Sequence, residues 1–321
     1  MNQKLLTPGG TIAIVSPSGL IGTEYLDGGI RALTDLGYKT ELMPNAMGPA
    51  TSVFAADDAR RAADLAEALS RPDIDIVWCT RGGYGAMRTL AALDALGGWK
   101  KLFANTDKLI VGFSDITAFH AAAATRGHAA IHGPMLKHLA THDTTSPDIV
   151  ETLRAVTEGR ADVSCRPLPG SRTGETRGRL IGGNLSILYS LLSTDLCPSP
   201  DGAILFIEDL SEYRYHIDRM IQTLRFSGFL SRLAGIVVGQ MTGMRDGATP
   251  FGRTAYEIIA DATTDYPYPV LLGFPAGHDP AANYPLILGG DAVLSVGNGE
   301  ATLSMSLARL KNNPSRIAQE K

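Results

Sequence analysis

Leu109-Ile110-Val111-Gly112-Phe113-Ser114-Asp115-Ile116-Thr117-Ala118-Phe119-His120-Ala121 decides how this chain is read, because a short apolar run gives way at a serine to a helix-like stretch. A strand that turns sharply into a helix presents its junction residue at the carboxyl edge of a sheet. The first helical N–H groups there are unpaired and point toward it. Ser114 therefore stands where a nucleophile could act. A serine at such a junction also suits a helix N-cap, and the motif alone does not choose between the two roles.

The turn has the form of a nucleophile elbow, but Ile116 stands where G-x-S-x-G needs its second glycine, which argues against an ordinary α/β-hydrolase. Outward from it, the first half alternates strand and helix patterns. Thr11 to Val15 reads as a strand, Glu24 to Leu36 and Asp57 to Leu69 as helices, and Ile74 to Cys79 and Leu109 to Val111 as strands leading into glycine-containing loops. Such alternation predicts βαβ units around a parallel sheet, with the loops Ser16 to Gly19, Arg81 to Gly85 and Phe113 to Asp115 sharing one edge. A helix near Pro147 to Glu158 precedes a stretch rich in proline and glycine, which reads as an interdomain connector. Beyond it, Asn184 is placed to cap a helix, Ala203 to Ile207 is a strand ending at Glu208-Asp209, and Glu212 to Leu224 is helical. Gly235 to Gly239 and Val270 to Leu272 read as strands, and Pro285 to Met305 as β-hairpins. The expected fold is α/β: an N-terminal parallel-sheet domain over 1–160, a linker over 161–177, a smaller α/β domain with a mixed sheet over 178–308, and a polar tail over 309–321.

At 321 residues, with 44% hydrophobic and 19% charged residues, the chain fits a globular protein of two domains. Its net charge of −4 has both signs interspersed, which argues against nucleic acid or an anionic membrane as partner. The three cysteines, Cys79, Cys165 and Cys197, form no C-x-x-C pair, so a reducing compartment is expected. The apolar run Ile12 to Val15 is too short for a signal peptide or a membrane span, and a cytoplasmic protein is the expectation.

Arg81-Gly82-Gly83-Tyr84-Gly85 follows a strand, and its glycines let backbone N–H groups approach a ligand closely. It matches neither nucleotide-loop pattern, and a plain tight turn is the competing account. If it lies beside Ser114, its amides could complete an oxyanion hole with the N–H of Asp115. An activated serine also needs a base and a group that orients the base. Of seven histidines, His120 reads as a packed helix residue, and His128, His138 and His142 as surface residues. His132 could line the same edge, and His216 belongs to a solvated helix face. His278 lies on a turn-rich loop directly after Val270 to Leu272, from which it can reach a cleft. Glu208 terminates an apolar strand and needs a partner; an imidazole would serve, as would Arg214 or Arg219.

Together these segments resemble the LD-carboxypeptidase family of serine peptidases, which includes muramoyltetrapeptide carboxypeptidases and microcin C immunity relatives. The resemblance runs from Ile12-Ala13-Ile14-Val15-Ser16-Pro17-Ser18-Gly19 through Arg81-Gly82-Gly83-Tyr84-Gly85, Gly112-Phe113-Ser114-Asp115, His132-Gly133-Pro134-Met135, Gly182-Gly183-Asn184-Leu185 and Phe206-Ile207-Glu208-Asp209 to Gly277-His278. It implies Ser114 as nucleophile, His278 as base, Glu208 as charge-relay carboxylate, and the amides of Gly83 and Asp115 as oxyanion hole. It further implies release of the terminal D-alanine from murein tetrapeptides, no metal or organic cofactor, and a homodimer. Arg81 is the candidate for the substrate's carboxylate, with Tyr84 beside it. Two competing readings are an immunity-type hydrolase cleaving a peptidyl- or acyl-nucleotide amide, for which Trp78 and Trp99 offer no clear nucleobase platform, and a non-catalytic binding protein on the same fold.

Overall fold

A computed structural model describes residues 3–48 and 52–307, so the tail expected over 309–321 lies outside the described residues. In the first half, β1 (Thr11–Val15), β2 (Lys39–Leu42), β3 (Ile76–Cys79), β4 (Leu109–Gly112) and β5 (Ala130–His132) run parallel in the order β5-β4-β3-β1-β2. β3 and β4 are buried at every residue, as strands covered on both faces must be. The helices Thr23–Asp35, Asp58–Ser70 and Pro147–Glu158 follow the apolar spacing seen in the sequence. Asp57 starts the second of them by accepting a hydrogen bond from Arg60 N.

The second half adds β6 (Arg160–Cys165), β7 (Gly174–Asn184), β8 (Ile204–Leu210), β9 (Gly235–Thr242), β10 (Val270–Leu272), β11 (Leu286–Leu288), β12 (Asp291–Val296) and β13 (Ala301–Ser306). Seven of these form a mixed sheet in the order β10-β9-β8-β7-β12-β13-β6, parallel from β7 to β10 and antiparallel through the β12–β13 hairpin to β6. The α/β architecture with two sheets is therefore the one the alternation implies. Within the stretch read as a connector, β6 and the start of β7 are strands. β6 buries Ala161 and Val163 and turns Arg160, Asp162 and Ser164 outward, a period-two alternation that the nearby prolines and glycines obscured. β11 is no hairpin partner of β12. It returns to the first sheet and pairs antiparallel with β5, covering an edge whose backbone groups would otherwise be unpaired.

One apolar cluster spans both sheets, joining Ile14, Trp78, Val111 and Ile131 of the first to Phe206, Val237 and Leu294 of the second. Each sheet's remaining face has its own helix-covered cluster. The two halves meet again at Gly183, whose positive φ of 133° suits a glycine and where a Cβ would lie 2.5 Å from Thr117 Oγ1. The adjacent Asn184 N donates to that same oxygen over 3.0 Å. Thr117 opens the helix that follows Ser114, so this contact sets β7 and β8 against the serine turn. Gly183→Ala is expected to destabilise the protein by about 1–3 kcal/mol, through the positive φ and the crowding together. The check is the urea midpoint against wild type; an unchanged midpoint would contradict this packing.

Candidate active site

Ser114 has φ +64°, and among the described residues Ser211 is the only other non-glycine in that region. Holding a non-glycine there costs of order 1–3 kcal/mol, which the surroundings must maintain. The turn Ser114–Ile116 is closed by Ile116 N donating to Phe113 O, and its cap position is Phe113, with no side-chain capping bond. The serine is thus not used as a helix cap. Gly82 lies against it: a Cβ there would be 2.9 Å from Ser114 Cβ and 3.1 Å from Oγ. Ser114 opens onto a cavity of about 460 Å³ that Arg81, Gly82, Gly83 and His278 also line.

The loops at the ends of β1, β3 and β4 are tied together by the Asp115 side chain, which is 3% exposed. Its Oδ2 accepts from Ser18 Oγ and, at 2.8 Å, from Ala86 N. Burial pushes its carboxyl pKa up, against the pull of those hydrogen bonds and of Arg61. The buried Arg61 guanidinium braces the same loops by donating to Pro17 O and Gly85 O, and Gly19 N donates to Gly82 O. The three loops share one edge, as βαβ order requires.

Glu208 is fully buried in β8, at a register shift between Ile207 and Asp209 where β9 carries one extra residue. A bulge re-aims side chains beside it, and Glu208 Oε2 lies 2.6 Å from His278 Nδ1. A carboxylate only accepts, so Nδ1 carries the proton and Nε2 is left as the basic nitrogen. Burial opposes protonation of His278, but the hydrogen bond and charge of Glu208, with Asp209 behind it, outweigh burial and raise its pKa above the ordinary histidine value. Burial and then the charge of Glu208 push Asp209 up to about 7, although Asn184 Nδ2 and Leu210 N donate to it. The His278 loop is pinned at both ends. Gln240, in the bulge, accepts from Asp279 N and donates to Ala282 O; Asn283 accepts from Gly277 N, and its own N–H donates to Asp148. The His278 ring lies 4.8 Å from that of Phe113, centroid to centroid. Ser114 Oγ and His278 are not hydrogen-bonded here, and such a pair commonly tightens only in the substrate complex.

Arg81 lines the cavity while Nη1 donates to Leu20 O over 3.1 Å. Tyr84 is exposed and leans on Phe54, outside the cavity lining. Glu208 takes His278 rather than Arg214, which pairs with Asp246. His120 and His132 are fully buried with no hydrogen-bond partner on either ring nitrogen, and burial lowers the His120 pKa to about 3. His128 is buried rather than on the surface, because its segment passes under the turn at Gly289, where a Cβ would meet His128 O at 2.5 Å. His138 and His142 line the cavity, brought there by the short helix Leu136–Leu139 after β5. Sequence reading missed these two, together with Lys137, Gln240 and Asp148. The His132-Gly133-Pro134-Met135 segment was a signal that the chain just beyond β5 returns to the edge.

Comparison with known proteins gives a consistent result. A family model for the LD-carboxypeptidase N-terminal domain matches residues 12–133, and one for the LD-carboxypeptidase C-terminal domain matches 177–294. A putative carboxypeptidase of Streptomyces coelicolor is 34% identical over 285 residues, covering 85% of this chain and 86% of that protein. A murein tetrapeptide carboxypeptidase of Pseudomonas aeruginosa is 31% identical, covering 73% and 77%. The crystal structure of a muramoyltetrapeptide carboxypeptidase from Oxalobacter formigenes superposes with TM-score 0.82 at 29% identity, covering 92% of this chain and 98% of that one.

By the sign of its causes, His278 should titrate above the ordinary histidine range, and Glu208→Gln should lower its pKa because burial stays while the carboxylate's charge is gone. Ring-proton NMR across pH measures both; a His278 pKa unmoved by the substitution would contradict the pairing.

Proposed function

The chain belongs to the LD-carboxypeptidase family, and from that membership and the geometry of the site we propose that it hydrolyses the L,D amide bond that releases the terminal D-alanine of murein tetrapeptides. The observation that carries the reading is the buried Glu208–His278 pair opening onto the same cavity as the strained Ser114. His278 Nε2 takes the proton of Ser114 Oγ as the oxygen attacks the carbonyl, and Glu208 orients the ring and stabilises the imidazolium. The amides of Gly83 and Asp115 hold the developing oxyanion; a donor of this kind contributes about 3 kcal/mol. His278 then passes the proton to the leaving amine of D-alanine. Water attacks the acyl-serine with His278 again as base, which frees the shortened peptide and restores the hydroxyl.

Two features support a murein peptide over a nucleotide-linked amide. Among the described residues the cavity's lining includes Arg81 and Lys137 and no acidic side chain, which suits a substrate rich in carboxylates. Among the described residues the lining also includes no tryptophan or tyrosine on which a base could stack, and Trp78 is buried with Nε1 donating to Pro134 O. With this substrate goes a cytoplasmic homodimer acting on peptides released during wall turnover, a reading that rests on family membership.

Purified protein is expected to release D-alanine from a murein tetrapeptide, with Ser114→Ala lowering kcat by about 10,000-fold or more. Mass spectrometry of the products reads this, and equal release by both proteins would remove Ser114 from the role. Because the base must be neutral to act and its pKa is raised, kcat/KM should climb with pH through the His278 pKa and then level. A profile flat from pH 5 to 9 would contradict that assignment.

A further inference from the structure

Resting on the carboxypeptidase reading, we propose that Lys137 is the specificity residue that binds the substrate's C-terminal carboxylate. Arg81 has a structural task in the same cavity. A carboxylate reaching the cavity beside Ser114 meets five basic side chains: His278, whose Nδ1 is held by Glu208, and Arg81, Lys137, His138 and His142. Arg81, like Lys137, pairs with no carboxylate among the described residues, but its Nη1 donates to Leu20 O and so braces the β1 loop against the β3 loop. Both ring nitrogens of His142 are engaged, Nδ1 with Thr141 Oγ1 and Nε2 with Pro280 O. Burial first, and then the nearness of the basic groups His142, Lys137 and His278, hold the His138 pKa down to about 4, so that ring is neutral at neutral pH.

Lys137 is different. Its ammonium rests over the Tyr25 ring, 5.1 Å from the centroid, and among the described residues it has no carboxylate within ion-pair distance. Its backbone is fixed, with Lys137 N donating to Thr80 O at the end of β3, one residue before Arg81. A half-buried ammonium on a firm base, held by a ring face alone, is placed to exchange that weak contact for a charge-assisted hydrogen bond.

The test compares a murein tetrapeptide with the same peptide ending in a carboxamide, using wild type, Lys137→Met and Lys137→Arg. Lys137→Met keeps most of the aliphatic stem and should raise KM for the free acid by about 10- to 100-fold with kcat changed little. It should also remove the wild type's preference for acid over amide, and Lys137→Arg should restore most of both. If Lys137→Met leaves KM for the acid unchanged, or raises it equally for acid and amide, the assignment to the terminal carboxylate is overturned while the carboxypeptidase reading stands. If wild type itself turns over neither peptide, the carboxypeptidase reading fails and this inference falls with it.

Discussion

A carboxylate with no exposure to solvent, set in an apolar strand, is the constraint around which the second half of this protein is arranged. Glu208 sits in β8 among Phe206, Ile207 and the cluster joining both sheets, where an unpaired charge would cost several kcal/mol. His278 meets one of its oxygens, Oε2, at 2.6 Å, while Oε1 stays buried without a hydrogen-bond partner, and the β9 bulge, Gln240 and the Asn283–Asp148 link hold the loop that carries the ring. The same link reaches across to the helix Pro147–Glu158, so the His278 ring is positioned by elements of both halves.

The first half meets this pair with a parallel arrangement of its own. Three loops converge where β1, β3 and β4 end, and one buried carboxylate, Asp115, ties them by accepting from Ser18 and Ala86. Ser114 is carried into the left-handed region by this bracing, and Gly82 must lack a side chain to let it sit there. Two buried carboxylates therefore do different work. Glu208 shapes the basicity of the imidazole, while Asp115 holds the serine turn in a conformation that an isolated chain would leave. Gly183 against Thr117 sets the distance between the two devices.

Much of this was legible in the sequence where local pattern and tertiary role agree. The strand-to-helix change at Ser114, the acid ending an apolar strand at Glu208 and the loop histidine at His278 each carry a local signal, and the structure places all three around one cavity or directly behind it. What stayed hidden depends on long-range packing. The start of β7 was obscured because it falls in the proline- and glycine-rich stretch read as a connector, and further along the strand Gly182 is glycine because a Cβ there would strike Phe206 O at 1.9 Å. β11 looks like half of a hairpin until β5 is seen to need an edge partner. His128 and His138 look polar and local, and only the fold buries the first and brings the second to the cavity. Lys137 lies just past the His132-Gly133-Pro134-Met135 segment, but no local pattern marks the lysine itself, since its place is set by the backbone bond to Thr80 O.

The central claim is that Glu208 and His278, from one sheet, activate Ser114 at the edge of the other. Labelling with a fluorophosphonate probe, followed by peptide mapping, tests it most directly, comparing wild type with His278→Ala at equal probe concentration. A single adduct on Ser114 is expected in wild type and little or none in the variant. An adduct on another serine, or labelling of Ser114 at the same rate in both proteins, would contradict it.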